Sequence, residues 1–175
     1  MATVFWFTGL AGAGKSTLAT LFYQELNSYH PTLLLDGDTL REVLGAQHAY
    51  SIEERRSLAF QYARLCQMLV KQNVHVIFAT ISMFDEVRAW NRKSIENYCE
   101  IYVRAPMSVL KQRNQKELYS NKSPNEVIGL DLCFEEPKNP DLILDNDGKM
   151  TPNEQIVIIK ERFFLCLQSA QKPKL

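Results

Sequence analysis

A glycine-rich stretch near the start of the chain constrains the fold more than any other feature of the sequence. It reads GLAGAGKST at positions 9–17 and follows the apolar run VFWF at positions 4–7. This matches G-x-x-x-x-G-K-[ST], the pattern of a phosphate-binding P-loop between a strand and a helix. Glycines let backbone N–H groups approach phosphate oxygens that a Cβ would keep away. The residues predicted to bind a nucleoside triphosphate are Gly9, Gly12, Ala13, Gly14, Lys15, Ser16 and Thr17.

Two side chains of this loop are predicted to act on the phosphates, one directly and one through a metal ion. Lys15 is expected to reach the outer phosphates and to take part in catalysis, and the hydroxyl of Ser16 is expected to ligate Mg²⁺. The helix that begins here adds the positive end of its dipole. ATP and Mg²⁺ are therefore the expected cofactors.

Length and composition predict one globular domain over residues 1–175. Lys plus Arg and Asp plus Glu number 20 each, so bulk charge gives no reason to expect a nucleic acid polymer as partner. The first apolar run is too short to span a bilayer and lacks a basic region before it, so we expect a cytoplasmic protein without membrane association. The four cysteines form no C-x-x-C pair and are expected to be reduced, mostly buried thiols. A homodimer is left open.

Strand-like and helix-like segments alternate along the chain. Strands are predicted at 2–8, 33–35, 74–81, 99–103 and 142–144. Helices are predicted from Ser16 to about 27, at 40–44 after an N-cap at Thr39, at 51–72, at 84–97, from Pro106, and from a capping box at 151–154. The pattern predicts an α/β fold of three layers, with a parallel sheet covered by helices on both faces. A mobile lid is expected at about 114–137, where prolines and scattered charges replace periodicity.

The acids that follow the second strand indicate the class of P-loop protein. Asp36 and Asp38 end the strand LLL at 33–35, at the edge where ligands bind in open α/β sheets. A GTPase would carry N-K-x-D, but 121–124 reads NKSP, and motor ATPases place an acid after a later strand, where this chain has Ile81 and Ser82. This pattern favours a small kinase in which Asp38, or Asp36 as the alternative, orients and deprotonates an acceptor hydroxyl.

Three segments together resemble adenylylsulfate kinase: the P-loop, the run L-D-G-D-x-x-R at 35–41, and a strand ending F-x-x-I-S at 78–82. The resemblance covers nearly the whole chain. It implies transfer of the γ-phosphoryl group of ATP to the ribose 3′-hydroxyl of adenylylsulfate, a small nucleotide acceptor. By this resemblance the acceptor-binding residues are Asp38, Arg41, Arg55, Ile81 and Ser82. Lid closure would add further cations. Arg113 is expected to act on the ATP side and Lys116 at the acceptor, and Lys122 is a further candidate.

The departures from this family gather on the acceptor side. Positions 58–61 read LAFQ where the family has asparagine and then an arginine pair, and Val127 replaces an aromatic residue of the lid. Further departures are Met83, Asn114 and Glu117. A lost stacking ring weakens purine recognition by about 1–3 kcal/mol unless another ring replaces it, and the candidates are Tyr50, Phe60 and Phe134. The sequence is therefore also compatible with a related acceptor such as cytidine diphosphoramidate, used in bacterial capsule modification. A non-catalytic nucleotide-binding regulatory module is the alternative of another class.

Overall fold

The computed structural model describes residues 1–46, 51–113 and 134–169, with side chains as far as position 163. The strands are β1 (Val4–Thr8), β2 (Thr32–Asp36), β3 (His75–Ala79), β4 (Tyr98–Arg104) and β5 (Leu142–Asp145). The helices are α1 (Lys15–Asn27), α2 (Gly37–Val43), α3 (Ile52–Lys71), α4 (Asp85–Ser94), α5 (Met107–Arg113) and α6 (Pro152–Ser169). All neighbouring strands run parallel in the order β2-β3-β1-β4-β5. The predicted three-layer α/β fold is confirmed.

The central strand β1 packs against a hydrophobic core on each face of the sheet. Phe5 and Phe7 point to the face covered by α1 and α6, where the rings of Phe5 and Phe22 meet edge to face at 5.0 Å. Trp6 points to the face covered by α3 and α4, where it meets Phe78 at 4.7 Å. Each such side chain stabilises the fold by about 1.5–3 kcal/mol when it is fully buried. The alternation of one strand thus supplies both cores.

Parallel pairing brings the carboxyl ends of the strands to one edge of the sheet. Phe7 and Asp36 are both in register with Ala79, and Thr8 is in register with Tyr102. The loops that follow β1, β2 and β3 therefore leave the sheet side by side. This is the edge at which open α/β sheets bind ligands.

The ends of several elements differ from the sequence prediction. The N-cap predicted at Thr39 is wrong, because the Asp36 carboxylate accepts a hydrogen bond from the Asp38 backbone N–H and α2 begins at Gly37. β3 ends at Ala79 rather than Ile81, and the backbone has a positive φ of 23° at Ser82. The capping box of Ser51 with Glu54 is confirmed, as is the one at 151–154 with proline in the first helical position.

Cys66 and Cys99 are buried free thiols, as predicted, and burial raises the pKa of the Cys66 thiol. No described helix is long and apolar enough to cross a bilayer. Residues 114–133, most of the predicted lid, lie outside the described residues.

Candidate phosphoryl-transfer site

The P-loop connects β1 to α1 and is packed so closely that two of its glycines cannot be replaced. Gly9 has φ 149° and Gly14 has φ 100°, both in the region that L side chains rarely adopt. A Cβ on Gly9 would lie 2.2 Å from the carbonyl oxygen of Val103, and one on Gly14 would lie 2.3 Å from Nδ2 of Asn146. The loop is therefore held between the end of β4 and the residue that follows β5.

Lys15 lies within this loop rather than in solvent. Its side chain is buried, and Nζ donates a 2.8 Å hydrogen bond to the carbonyl oxygen of Leu10. Burial lowers the pKa of Lys15 to about 8, although the nearby carboxylates of Asp38 and Asp36 act in the opposite direction. The two carboxylates thus do not fully offset the cost of burying the charged ammonium group. Binding of an anion such as a phosphate would offset more of it.

Ser16 and Asp36 bring two oxygen ligands together at the mouth of the loop. The Ser16 hydroxyl donates a 2.7 Å hydrogen bond to Oδ2 of Asp36, while Oδ1 accepts from the Asp38 N–H at 2.9 Å. Mg²⁺ prefers such hard oxygens and is usually held by one or two protein groups plus phosphates and waters. The pair fits Mg²⁺ on these grounds. Residues 1–46, 51–113 and 134–169 contain no group of three or more His, Cys, Asp or Glu side chains that could hold a metal ion.

The predicted acceptor-side residues lie on α2, on α3 and on the turn after β3. Asp38 is in the first turn of α2 and Arg41 in its last turn. Ile81 accepts a 2.7 Å hydrogen bond from the Thr8 hydroxyl through its carbonyl oxygen, and the Ser82 hydroxyl lies 2.9 Å from that of Thr80. The turn at 81–82 is therefore fixed to the ends of β1 and β3.

The remaining predicted residues fall in different places. Arg55 is half-buried in the first turn of α3, and its backbone N–H bonds to Ser51. Arg113, at the end of α5, donates to the carbonyl oxygens of Gly12 at 3.1 Å and of Asn146 at 3.2 Å, so it lies against the P-loop. Several predicted positions lie outside the described residues, namely Tyr50, Asn114, Lys116, Glu117, Lys122 and Val127.

Sequence reasoning missed Asn146 as a residue of the site. Its Nδ2 donates a 2.8 Å hydrogen bond to the carbonyl oxygen of Ala13, and its Oδ1 accepts from the buried Gln155 of α6 at 3.2 Å. The available signal was its position directly after β5, at the same edge of the sheet as the P-loop. Asn146 thus connects the P-loop to the buried Gln155 of α6.

An open depression of about 540 Å³ adjoins the P-loop, between α1 and the start of α6. Its size falls in the range of small-molecule sites. Its lining residues are Ser16, Thr17, Thr20, Leu21, Pro152 and Asn153. It is contiguous with the loop through Ser16 and Thr17.

A parallel sheet with a P-loop after its first strand, and a carboxylate beside the loop serine, define a P-loop kinase. The family model of adenylylsulphate kinase matches residues 1–145. The chain belongs to the adenylylsulphate kinase family, and the protein is a phosphotransferase of that family.

Comparison with individual proteins agrees with this family. The chain is 39% identical to the cytidine diphosphoramidate kinase of Campylobacter jejuni, over 93% of this chain and 96% of that protein. It is 37% identical to the adenylyl-sulfate kinase of Deinococcus deserti, over 82% of each chain. The Mycobacterium tuberculosis APS kinase in complex with AMPPNP and APS has a TM-score of 0.84 and 28% identity, over 93% of this chain and 98% of that one.

Proposed function

We propose that this protein transfers the γ-phosphoryl group of ATP to a ribose hydroxyl of a small nucleotide, and that the acceptor is cytidine diphosphoramidate. The observation that carries the phosphoryl-transfer step is the hydrogen-bonded series Ser16, Asp36 and Asp38 beside the P-loop lysine. This series supports the proposal because a hydroxyl and two carboxylates then lie near Lys15, as metal binding and proton transfer beside the outer phosphates would require.

The ATP side of the mechanism depends on the loop and on Lys15. The loop N–H groups and Lys15 hold the β- and γ-phosphates, and Lys15 exchanges its bond to the Leu10 carbonyl for a phosphate oxygen. When bound at Ser16 and Asp36, Mg²⁺ supplies positive charge that neutralises the phosphates. Arg113, which donates a hydrogen bond to the Gly12 carbonyl oxygen, adds a cation at the same end of the loop.

The acceptor side depends on Asp38 and on two arginines. Asp38 is exposed at the start of α2, where it can accept a hydrogen bond and then the proton from the attacking hydroxyl. Arg41 and Arg55 lie on neighbouring helices and bind the anionic groups of the acceptor, which fixes the hydroxyl in line with the γ-phosphorus.

The burial and packing of the side chains at positions 58–60 support this choice of acceptor. Leu58 and Ala59 are buried in the core beneath α3, and the ring of Phe60 packs edge to face on Trp90. The family pattern has polar or cationic side chains at 58 and 60, so this chain offers its acceptor fewer hydrogen-bond donors. A terminal phosphoramidate carries an NH₂ donor where sulfate has an acceptor oxygen, and it needs fewer donors from the protein. The Campylobacter jejuni relative supports the same choice.

Adenylylsulfate is the second candidate, because the family model and the mycobacterial structural neighbour point to it. Its recognition here would need a ring in place of the one lost at Val127. Phe134, one of the predicted replacements, is partly buried against the core on the α1 face. Phe60 is already packed on Trp90.

The test is a direct competition between acceptors. The purified protein is incubated with ATP, Mg²⁺ and each acceptor in turn, and products are analysed by mass spectrometry for one added phosphate. We expect kcat/KM for cytidine diphosphoramidate to exceed that for adenylylsulfate by at least about tenfold. The reverse ranking would assign the protein to adenylylsulfate. If neither acceptor raised ADP release, the kinase proposal would fail and a regulatory nucleotide-binding role would replace it.

A further inference from the structure

We infer that Tyr62 of α3 is a positioning residue for the acceptor side of the site, because its hydroxyl connects Arg41 with the turn on which Asp38 lies. The inference rests on the proposed roles of Asp38 and Arg41. By helical periodicity alone, Tyr62 is one more core residue of α3.

A single peptide unit between the two acids is held at both of its ends by side chains. The Gly37 carbonyl oxygen accepts a 3.2 Å hydrogen bond from the Tyr62 hydroxyl. The N–H of the same peptide, that of Asp38, donates to Oδ1 of Asp36 at 2.9 Å. The tilt of this peptide sets the direction in which the Asp38 side chain leaves the backbone, so Tyr62 helps to determine where that carboxylate points.

A third contact limits the same turn from the side of β3. A Cβ built on Gly37 would lie 3.0 Å from Oγ1 and 3.3 Å from Cβ of Thr80, so Gly37 lies directly against this threonine. Thr80 is in turn hydrogen-bonded to Ser82. The turn is therefore confined by Thr80 while Tyr62 holds its carbonyl group.

The Tyr62 hydroxyl also contacts Arg41. The guanidinium is a donor only, so the hydroxyl accepts this hydrogen bond while it donates to Gly37. Burial raises the pKa of Tyr62 to about 12, with Arg41 acting against this shift. The hydroxyl consequently keeps its proton at neutral pH and serves to hold its neighbours in place rather than to exchange protons.

The ring that carries this hydroxyl is itself fixed. It is buried and meets Phe78 of β3 edge to face at 5.2 Å. The neighbours one helical turn away, Leu58 and Cys66, are buried without a polar role at the site. Core packing alone would be satisfied by phenylalanine at 62, so the hydroxyl is the part of the residue that needs a functional explanation.

Tyr62→Phe tests the inference because it removes the hydroxyl and keeps the ring. We expect the Tm to stay within a few degrees of the wild type and the KM for ATP to change by less than about twofold. The kcat/KM for the acceptor is expected to fall by at least about tenfold. Tyr98→Phe is the matched control, since Tyr98 is a buried tyrosine at the opposite end of the sheet, and it should leave both substrates unaffected. Equal losses for ATP and acceptor, or no loss for the acceptor, would overturn the inference.

A double-mutant cycle separates positioning of Arg41 from a general loss of packing. Tyr62→Phe and Arg41→Lys should be strongly non-additive in kcat/KM for the acceptor, because each removes the same hydrogen-bonded unit. Additive effects would contradict a shared unit.

Amide hydrogen exchange of the ligand-free protein gives a readout that needs no acceptor. In Tyr62→Phe we expect faster exchange in α2, with α1 and α6 unchanged. If the wild type phosphorylated neither acceptor, the proposed function would fall, while faster exchange confined to α2 would still support Tyr62 as the residue that holds this turn. Unchanged exchange in α2 would overturn the inference whatever the acceptor is.

Discussion

The hydroxyl of Ser16 donates a 2.7 Å hydrogen bond to Oδ2 of Asp36, although the two residues belong to strand–helix junctions that are not adjacent in the sheet. Ser16 follows β1 and Asp36 ends β2, and β3 lies between these strands. The bond therefore crosses the carboxyl end of β3 and links the P-loop to the turn that carries Asp38, the proposed acceptor side of the site.

Removing the Ser16 hydroxyl should slow catalysis because it removes a proposed ligand of the metal ion. In Ser16→Ala we expect kcat to fall by at least about tenfold and the Mg²⁺ concentration for half-maximal activity to rise, because Asp36 alone remains as a protein oxygen at this point. Magnesium titrations of initial rate measure both. Ser28→Ala is the matched control, since the Ser28 hydroxyl at the end of α1 donates to the Gln24 carbonyl, away from the P-loop. An unchanged magnesium dependence in Ser16→Ala would remove Ser16 from the metal site.

The lowered pKa of Lys15 predicts a pH-dependent affinity for ATP. Burial lowers this pKa to about 8, so the ammonium loses its proton as the pH rises through 8, whereas bound phosphates favour the charged form. Affinity should be highest below pH 8 and should fall by up to about tenfold per pH unit above it, with proton uptake on binding. Calorimetry in buffers of different ionisation enthalpy measures both. Lys15→Arg keeps its charge and should show a flat profile. A flat wild-type profile would contradict the depressed pKa.

Asp38→Asn should separate binding from turnover. We expect the affinity for ATP to stay nearly intact and kcat to fall by at least about tenfold, because the amide cannot take the proton of the acceptor hydroxyl. Single-turnover assays with saturating ATP provide the measurement. Glu161→Gln, an exposed carboxylate of α6, is the control and should have wild-type activity. Comparable turnover in Asp38→Asn would shift the base role to Asp36.

Asn146→Ala should both destabilise the fold and weaken ATP binding. The change removes the bond to the Ala13 carbonyl and leaves the amide of buried Gln155 without this acceptor. We expect the free energy of unfolding to drop by about 1–3 kcal/mol and the KM for ATP to rise. Chemical denaturation and steady-state kinetics measure the two effects. Adding Gln155→Leu should restore part of the stability and none of the ATP affinity, and recovery of both would show that Asn146 acts through packing alone.

His75 should make the fold sensitive to acid. It is buried, its Nδ1 accepts a hydrogen bond from the Thr3 N–H at 3.1 Å, and burial lowers its pKa to about 4. Between pH 6.5 and 4 the unfolded state binds more protons than the folded state, so stability falls as the pH is lowered through this window. We expect the Tm of the wild type to decrease over this range by several degrees more than that of His75→Asn. Parallel curves would assign the acid sensitivity to other groups.

The parts of the structure that could be predicted from the sequence depend on local signals. The P-loop, the strands and the capping boxes at 51–54 and 151–154 are each encoded within a few adjacent residues. The start of α2 was misplaced because Asp36 and Thr39 are both good capping residues, and the choice depends on the strand that delivers Asp36. Asn146 and Tyr62 escaped notice because their partners, Ala13 and Gly37, are 133 and 25 residues away.

The packing of Gly9 and Gly14 against main chain and Asn146 has a consequence for how this scaffold can diversify. A side chain added at either glycine collides with the rest of the protein, so these two positions of the P-loop, the proposed ATP side of the site, have almost no room to vary. No glycine of α3 is confined in this way, and Leu58 and Phe60 of this helix already differ from the family pattern, although they lie in or against the core. New acceptor specificities can therefore evolve by substitution in α3 while the phosphoryl donor stays the same.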